Sequence, residues 1–202
     1  MNKKSVMYPI VFMLILSAVL VFILAFINKI TTPIVEFNSE IELKDKILYV
    51  FNIPVDSTNP EEIDKVFSEN IEEKDYEDTK YFVYNKDGEV QGYAVPFVGP
   101  GLWGTITGYL GVNKDFTETT GIEFVSQSET PGLGGRISES PYKEQYRGID
   151  ISNPQGDKYV INKPAQGGNV DAIAGATQTS TFVTDMVNKN LKEFIQKEGG
   201  SN

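Results

Sequence analysis

Near the C-terminal end of the chain runs Asp171-Ala-Ile-Ala-Gly-Ala-Thr-Gln-Thr-Ser180: a lone acid, a run of the smallest side chains, then three hydroxyls. The apolar residues that follow, Phe182, Val183, Met186, Val187, Leu191, Phe194 and Ile195, recur at helical spacing, so the hydroxyls stand at a helix N-terminus. Backbone N–H groups lack intrahelical partners there and the dipole favours an anion, which makes a phosphate a natural guest. Ala174, Gly175 and Ala176 add little bulk, so a large group or another protein can approach the backbone. Spacing alone leaves a simpler reading open, in which Thr179 or Ser180 caps the helix and Gly175 supplies a turn.

Composition narrows the chemistry. The 202 residues contain neither cysteine nor histidine, which removes thiolate and imidazole metal sites, Ser–His–Asp and Cys–His catalysis, and disulfides. Carboxylates, hydroxyls, lysines or a bound cofactor must do any chemistry. A net charge of −10 and a pI near 4.6 oppose nucleic-acid binding. Gly99-Pro-Gly101 lacks the strand–GxGxxG–helix context of a dinucleotide site.

The elements that position the cluster are readable in outline. Met7 to Ile27 carries no charge and spans roughly 31 Å as a helix, matching a hydrocarbon core of roughly 30 Å. The length favours an uncleaved anchor over a signal peptide. Lys3 and Lys4 precede it, while Glu36, Glu40 and Glu42 follow, so the N-terminus is expected in the cytoplasm and the bulk outside. The expected organisation is a cytoplasmic stretch 1–6, a transmembrane helix 7–28, a stalk 29–45 and an extracytoplasmic domain 46–198. Pro33 is expected to end or kink the first helix. Glu40 to Phe51 has amphipathic helical spacing, and Asn59-Pro60-Glu61-Glu62 is a helix start, with Val66 and Ile71 expected to face the core. Runs at 81–84, 90–97, 105–112 and 122–125 read as strands of a mostly antiparallel sheet. The fold class is therefore α+β, a single domain with flanking helices on a membrane stalk.

Three segments carry a resemblance. Asp171-Ala-Ile-Ala-Gly-Ala-Thr177 resembles the flavinylation motif of FMN-binding domains, in which the threonine is joined to FMN through the phosphate. Glu129-Thr-Pro-Gly-Leu-Gly134 is similar to a segment of the same family, and Gly101-Leu-Trp103 to one of its quinone-reductase branch. Their order, with an anchor ahead of them, resembles the membrane-anchored FMN-binding subunits: the C subunit of the sodium-translocating NADH:quinone oxidoreductase and the G subunit of the Rnf complex.

The resemblance implies that Thr177 is the covalent acceptor, loaded by a separate flavin transferase using FAD and magnesium, and that Asp171 is the acid this transferase needs. Gly175 and Ala176 match its small residues. Glu129, Thr130, Leu133 and Gly134 match a segment that lines the isoalloxazine ring, and Leu102 and Trp103 match residues near it. Lys163 is a further candidate, to offset flavin or phosphate charge. Ala174 departs from the usual Ser or Thr, and Gln127-Ser128 from the histidine that often precedes the second segment. No residue is expected to be catalytic by itself and no metal site is expected. The implied function is an electron-carrying subunit of an ion-translocating membrane complex, partnered by its other subunits; a stand-alone membrane-tethered flavoprotein and a cofactor-free binding module are the alternatives.

Overall fold

The computed structural model describes residues 3–199, and the expected cytoplasmic stretch 1–6 lies partly outside them. Packing divides the chain into two compact units, Met1–Glu42 and Leu43–Asn202.

The first helix, α1, runs from Lys3 to Val50. Over its most apolar stretch the mean hydropathy is 3.3, long and apolar enough to cross a membrane. It does not end at Pro33, which corrects one alternative of the sequence reading. The missing proline N–H removes only the donor to the Lys29 carbonyl. One turn earlier, the Thr31 and Thr32 hydroxyls donate to the Ile27 and Asn28 carbonyls at 3.0 and 2.7 Å, the local back-bonding that long apolar helices tolerate around proline. The last turns carry Ile47, Leu48 and Val50, all fully buried.

Helix α2 (Pro60–Asn70) starts as expected, with the Asn59 side chain accepting from the N–H groups of Glu61 and Glu62. Its core face differs. Ile63 and Phe67, one turn apart, are buried and Val66 only partly so, while Ile71 is buried as the first residue of the strand that follows.

Five strands, β1 (Ile71–Tyr76), β2 (Thr79–Lys86), β3 (Glu89–Pro100), β4 (Thr105–Asn113) and β5 (Thr119–Ser126), form an antiparallel meander in chain order. β1 was not anticipated: Ile-Glu-Glu-Lys-Asp-Tyr is a charged edge strand, and exposed edges are protected by charge rather than by a hydrophobic pattern. The period of two sorts the sheet into faces. Val95 pairs with Leu110 and Leu110 with Ile122, while Phe97 and Phe124 flank Gly108. That face shares a core with Val183, Met186, Val187, Leu191 and Phe194 of the last helix, α4 (Thr177–Glu198). On the opposite face Phe82 meets Phe67 and Tyr109 edge-on, and Phe51 meets Tyr84.

Between β5 and α4 the chain has only short elements: a helical turn α3 (Ser140–Lys143) and two-residue strands β6 (Asn162–Lys163) and β7 (Val170–Asp171), paired in parallel. Side chains replace ladders here. Asn188 of α4 accepts from the N–H groups of Tyr159 and Val160 and donates to the Val160 carbonyl, while the Asn169 amide donates to the Tyr159 carbonyl. Tyr142 and Tyr146 share a hydroxyl hydrogen bond of 2.9 Å inside the core.

Burial pushes the Tyr142 phenol up to about 12, against the opposing hydrogen bonds of Tyr146 and Ser180, and burial raises Tyr146 well above the ordinary value. Phenols whose folded pKa exceeds the unfolded value of about 10 add stability that is complete below that pH and lost as pH rises through the folded values. Folding stability, followed by near-ultraviolet dichroism and tyrosinate absorbance in denaturant titrations, is therefore expected to fall above about pH 10. A Tyr142→Phe, Tyr146→Phe double variant should show a shallower decline; equal slopes would sink this account.

Candidate cofactor-binding site

The meander brings the ends of β3 and β5 and the start of β4 to one end of the sheet. Three segments gather there: the turn 101–104 between β3 and β4, the loop 127–134 after β5, and the first turn of α4. Together they line a cleft of about 360 Å³ with Leu102, Trp103, Glu129, Thr130, Leu133, Gly134, Gly175, Ala176, Thr177, Gln178 and Thr179.

Glu129 ties the three segments together. Its side chain is buried, with the residue only 4% exposed. Oε1 accepts from the N–H groups of Leu102 and Trp103 at 2.8 and 3.0 Å, and Oε2 from the Thr179 hydroxyl at 2.5 Å. Closeness to this carboxylate explains two glycines. A Cβ on Gly101 would stand 2.6 Å from Oε1, and one on Gly134 would stand 2.7 Å from both Oε2 and the Thr179 hydroxyl. Gln127 supports the same strut by accepting from the Glu129 N–H at 2.6 Å. The Thr130 carbonyl takes the N–H groups of Leu133 and Gly135, closing the loop so that Leu133 stands exposed.

The start of α4 separates its hydroxyls. Thr179 is 1% exposed and donates to Glu129; Ser180 is fully buried, accepting from the Ile173 N–H and donating to the Ala176 carbonyl. Neither caps the helix: its N-cap is Ala176, without a side-chain hydrogen bond. The simpler capping reading is thereby corrected, because the helix begins two residues ahead of Thr179. Thr177 is the first helical residue and is exposed. Its hydroxyl has no hydrogen-bond partner among the described residues, and the first N–H to find a helical acceptor is that of Ser180, on Ala176. Gly175, at φ +79°, makes the turn into this position in the left-handed region that glycine favours.

Opposite these polar groups the wall is apolar and open: Trp103 is 69% exposed, Leu102 47% and Leu133 46%. Exposed large apolar side chains around one cleft fit a flat, mostly apolar guest. The donor set beside them, backbone N–H groups at an uncapped helix start, fits a phosphate. The residues present therefore suit FMN at both of its ends.

Asp171 and Lys163 stand apart from the cleft wall. They are neighbours in the β6–β7 pair, exposed, with an ion pair at 3.3 Å, and the Asp171 N–H donates to Gln145. Among the described residues no lysine or arginine lines the cleft, so an anion there would meet helix N–H groups rather than a cation.

Residues 101–192 match the FMN-binding domain family. This stretch, just under half of the chain, is similar to FMN-binding domains. It begins at the Gly101 turn and takes in every residue of the cleft. Among its relatives are the C subunit of the Na(+)-translocating NADH-quinone reductase of Pasteurella multocida, 35% identical over 59% of this chain and 46% of the relative, and the G subunit of the ion-translocating oxidoreductase complex of Methanosarcina acetivorans, 32% identical over 57% of each. The chain thus spans about half the length of these relatives. The crystal structure of the C subunit of the Na(+)-translocating NADH-quinone reductase from Parabacteroides distasonis is 29% identical, with a TM-score of 0.66 over 80% of this chain and 93% of that one. The α+β fold of this chain agrees with that structure.

Proposed function

We propose that the chain is a membrane-anchored electron-transfer subunit of an ion-translocating redox complex, carrying FMN joined by a phosphoester to the Thr177 hydroxyl. One observation carries the reading: of three hydroxyls in a single helical turn, Thr177 alone is exposed in the apolar cleft, while Thr179 and Ser180 are buried and engaged. FMN, when bound, supplies the redox chemistry. The chain's residues do the rest. The N–H groups at the start of α4 receive the phosphate, Leu102, Trp103 and Leu133 cover the ring, and Glu129 holds the cleft walls in register. Covalency suits a domain outside the cytoplasm, where free FMN is dilute and a dissociable cofactor would be lost. The relatives' names support a complex with other membrane subunits, and the basic start and acidic flank of α1 support a cytoplasmic N-terminus.

Denatured protein, co-expressed with a flavin transferase, should retain flavin fluorescence in a gel; a dark band would favour the cofactor-free alternative. Asp171 has the position of a recognition group: exposed, outside the cleft, and held by Lys163. Asp171→Ala should therefore cut flavin loading severely while shifting stability by no more than about 1 kcal/mol, since an exposed ion pair contributes little. Normal loading of this variant, measured as flavin per protein, would remove its role.

A further inference from the structure

The two ends of the cleft are unequally equipped. Its apolar end has three exposed side chains, Leu102, Trp103 and Leu133, enough to cover a flat ring. Its polar end has no cation. Among the described residues one charged side chain lines the cleft, and it is an acid, Glu129. The basic residues that border the lining segments are held by carboxylates: Arg136, just past the loop 127–134, by Glu139 at 3.2 Å, and Lys163, the last basic residue before α4, by Asp171 at 3.3 Å. What an anion meets instead is backbone. The N–H groups of Thr177, Gln178 and Thr179 precede that of Ser180, the first to find a helical acceptor, and have no partner among the described residues. Such a helix start offers roughly half an elementary charge. A phosphate monoester, as in free FMN, carries about −1.5 to −2 at neutral pH, and here it would face a carboxylate in the same wall and a chain of net charge −10. A phosphodiester keeps a single charge.

We infer that the cleft recognises a flavin by its ring, and that its phosphate end is matched to the single charge of a diester and not to the greater charge of free FMN. The inference rests on the FMN reading above and adds a ligand selectivity to it: before loading, the cleft takes a neutral flavin such as riboflavin about as readily as FMN. Charge-assisted hydrogen bonds from lysine or arginine would make a free phosphate monoester the preferred handle, and the cleft has neither. Affinity for the unattached cofactor therefore comes from apolar contact with the ring.

Trp103 is the one tryptophan of the chain and lines the cleft, so quenching of its emission reports a flavin ring entering. The full chain, purified in detergent from cells without a flavin transferase, is titrated with riboflavin and with FMN. FMN is expected to bind no more than about fivefold more tightly than riboflavin. Gln178 lines the cleft, exposed and without a side-chain partner among the described residues, so Gln178→Lys adds a cation where the phosphate lies. That variant is expected to raise the preference for FMN over riboflavin at least ~fivefold. A larger preference for FMN in the unaltered chain, no quenching by riboflavin, or a preference that Gln178→Lys leaves unmoved would each overturn the inference. Flavin fluorescence of the denatured, transferase-loaded band tests the FMN reading by itself, so either can fail while the other stands.

Discussion

Thr177→Val protein, co-expressed with a flavin transferase and denatured, is expected to show no flavin fluorescence while the wild-type band is bright. The expected loss is complete, because valine has no oxygen with which to form the phosphoester. Folding should be nearly unaffected. The Thr177 hydroxyl has no partner among the described residues and the side chain is exposed, so a β-branched isostere there should shift stability by no more than about 0.5 kcal/mol. Thr179→Val is the informative companion. It removes a hydroxyl bonded to Glu129 at 2.5 Å, so it should lower stability yet keep a fluorescent band. A bright Thr177→Val band would move the acceptor elsewhere and undo the argument from exposure.

Glu129→Ala should be the most damaging single change at the site. Truncation strands two backbone N–H groups and the Thr179 hydroxyl at once. Each unsatisfied group costs roughly 1–3 kcal/mol, less where water can enter, so a loss on the order of 3 kcal/mol is expected. Glu129→Gln separates shape from chemistry. Its carbonyl oxygen still accepts from Leu102 and Trp103, and its amide can donate to a Thr179 hydroxyl turned to accept, so a loss of about 1 kcal/mol is expected. Denaturant midpoints measure both, and flavin loading should follow the same order: wild type, glutamine, alanine. Alanine and glutamine variants of equal stability would mean that the carboxylate is not the strut inferred here.

Both results turn on placement that spacing could suggest only in part. The acid, small-residue and hydroxyl pattern at 171–180 announced a helix start open to an anion, since small side chains and a period of 3.6 are local properties. The Asn59 cap, the last helix and four of the five main strands were legible for the same reason. Edge strand β1 was not, because its charges answer to solvent and not to a core. Nor was the stretch from Gly135 to Asn169, in which the backbone of Tyr159, Val160 and Ile161 is held by the Asn188 and Asn169 side chains instead of a ladder.

Sequence by itself determined an apolar helix of membrane-crossing length, an α+β domain, the absence of Cys and His chemistry, and three segments of one resemblance. Tertiary structure alone decided which hydroxyl at the start of α4 stays exposed and which two are buried. Glu129 and Thr179 are 50 residues apart, and only the meander, by returning β3 and β5 to the end where α4 begins, puts one carboxylate within reach of both the Leu102–Trp103 turn and the helix start. A hydrogen bond across that distance leaves no periodic trace in a chain, because its geometry is set by the packing of the elements between.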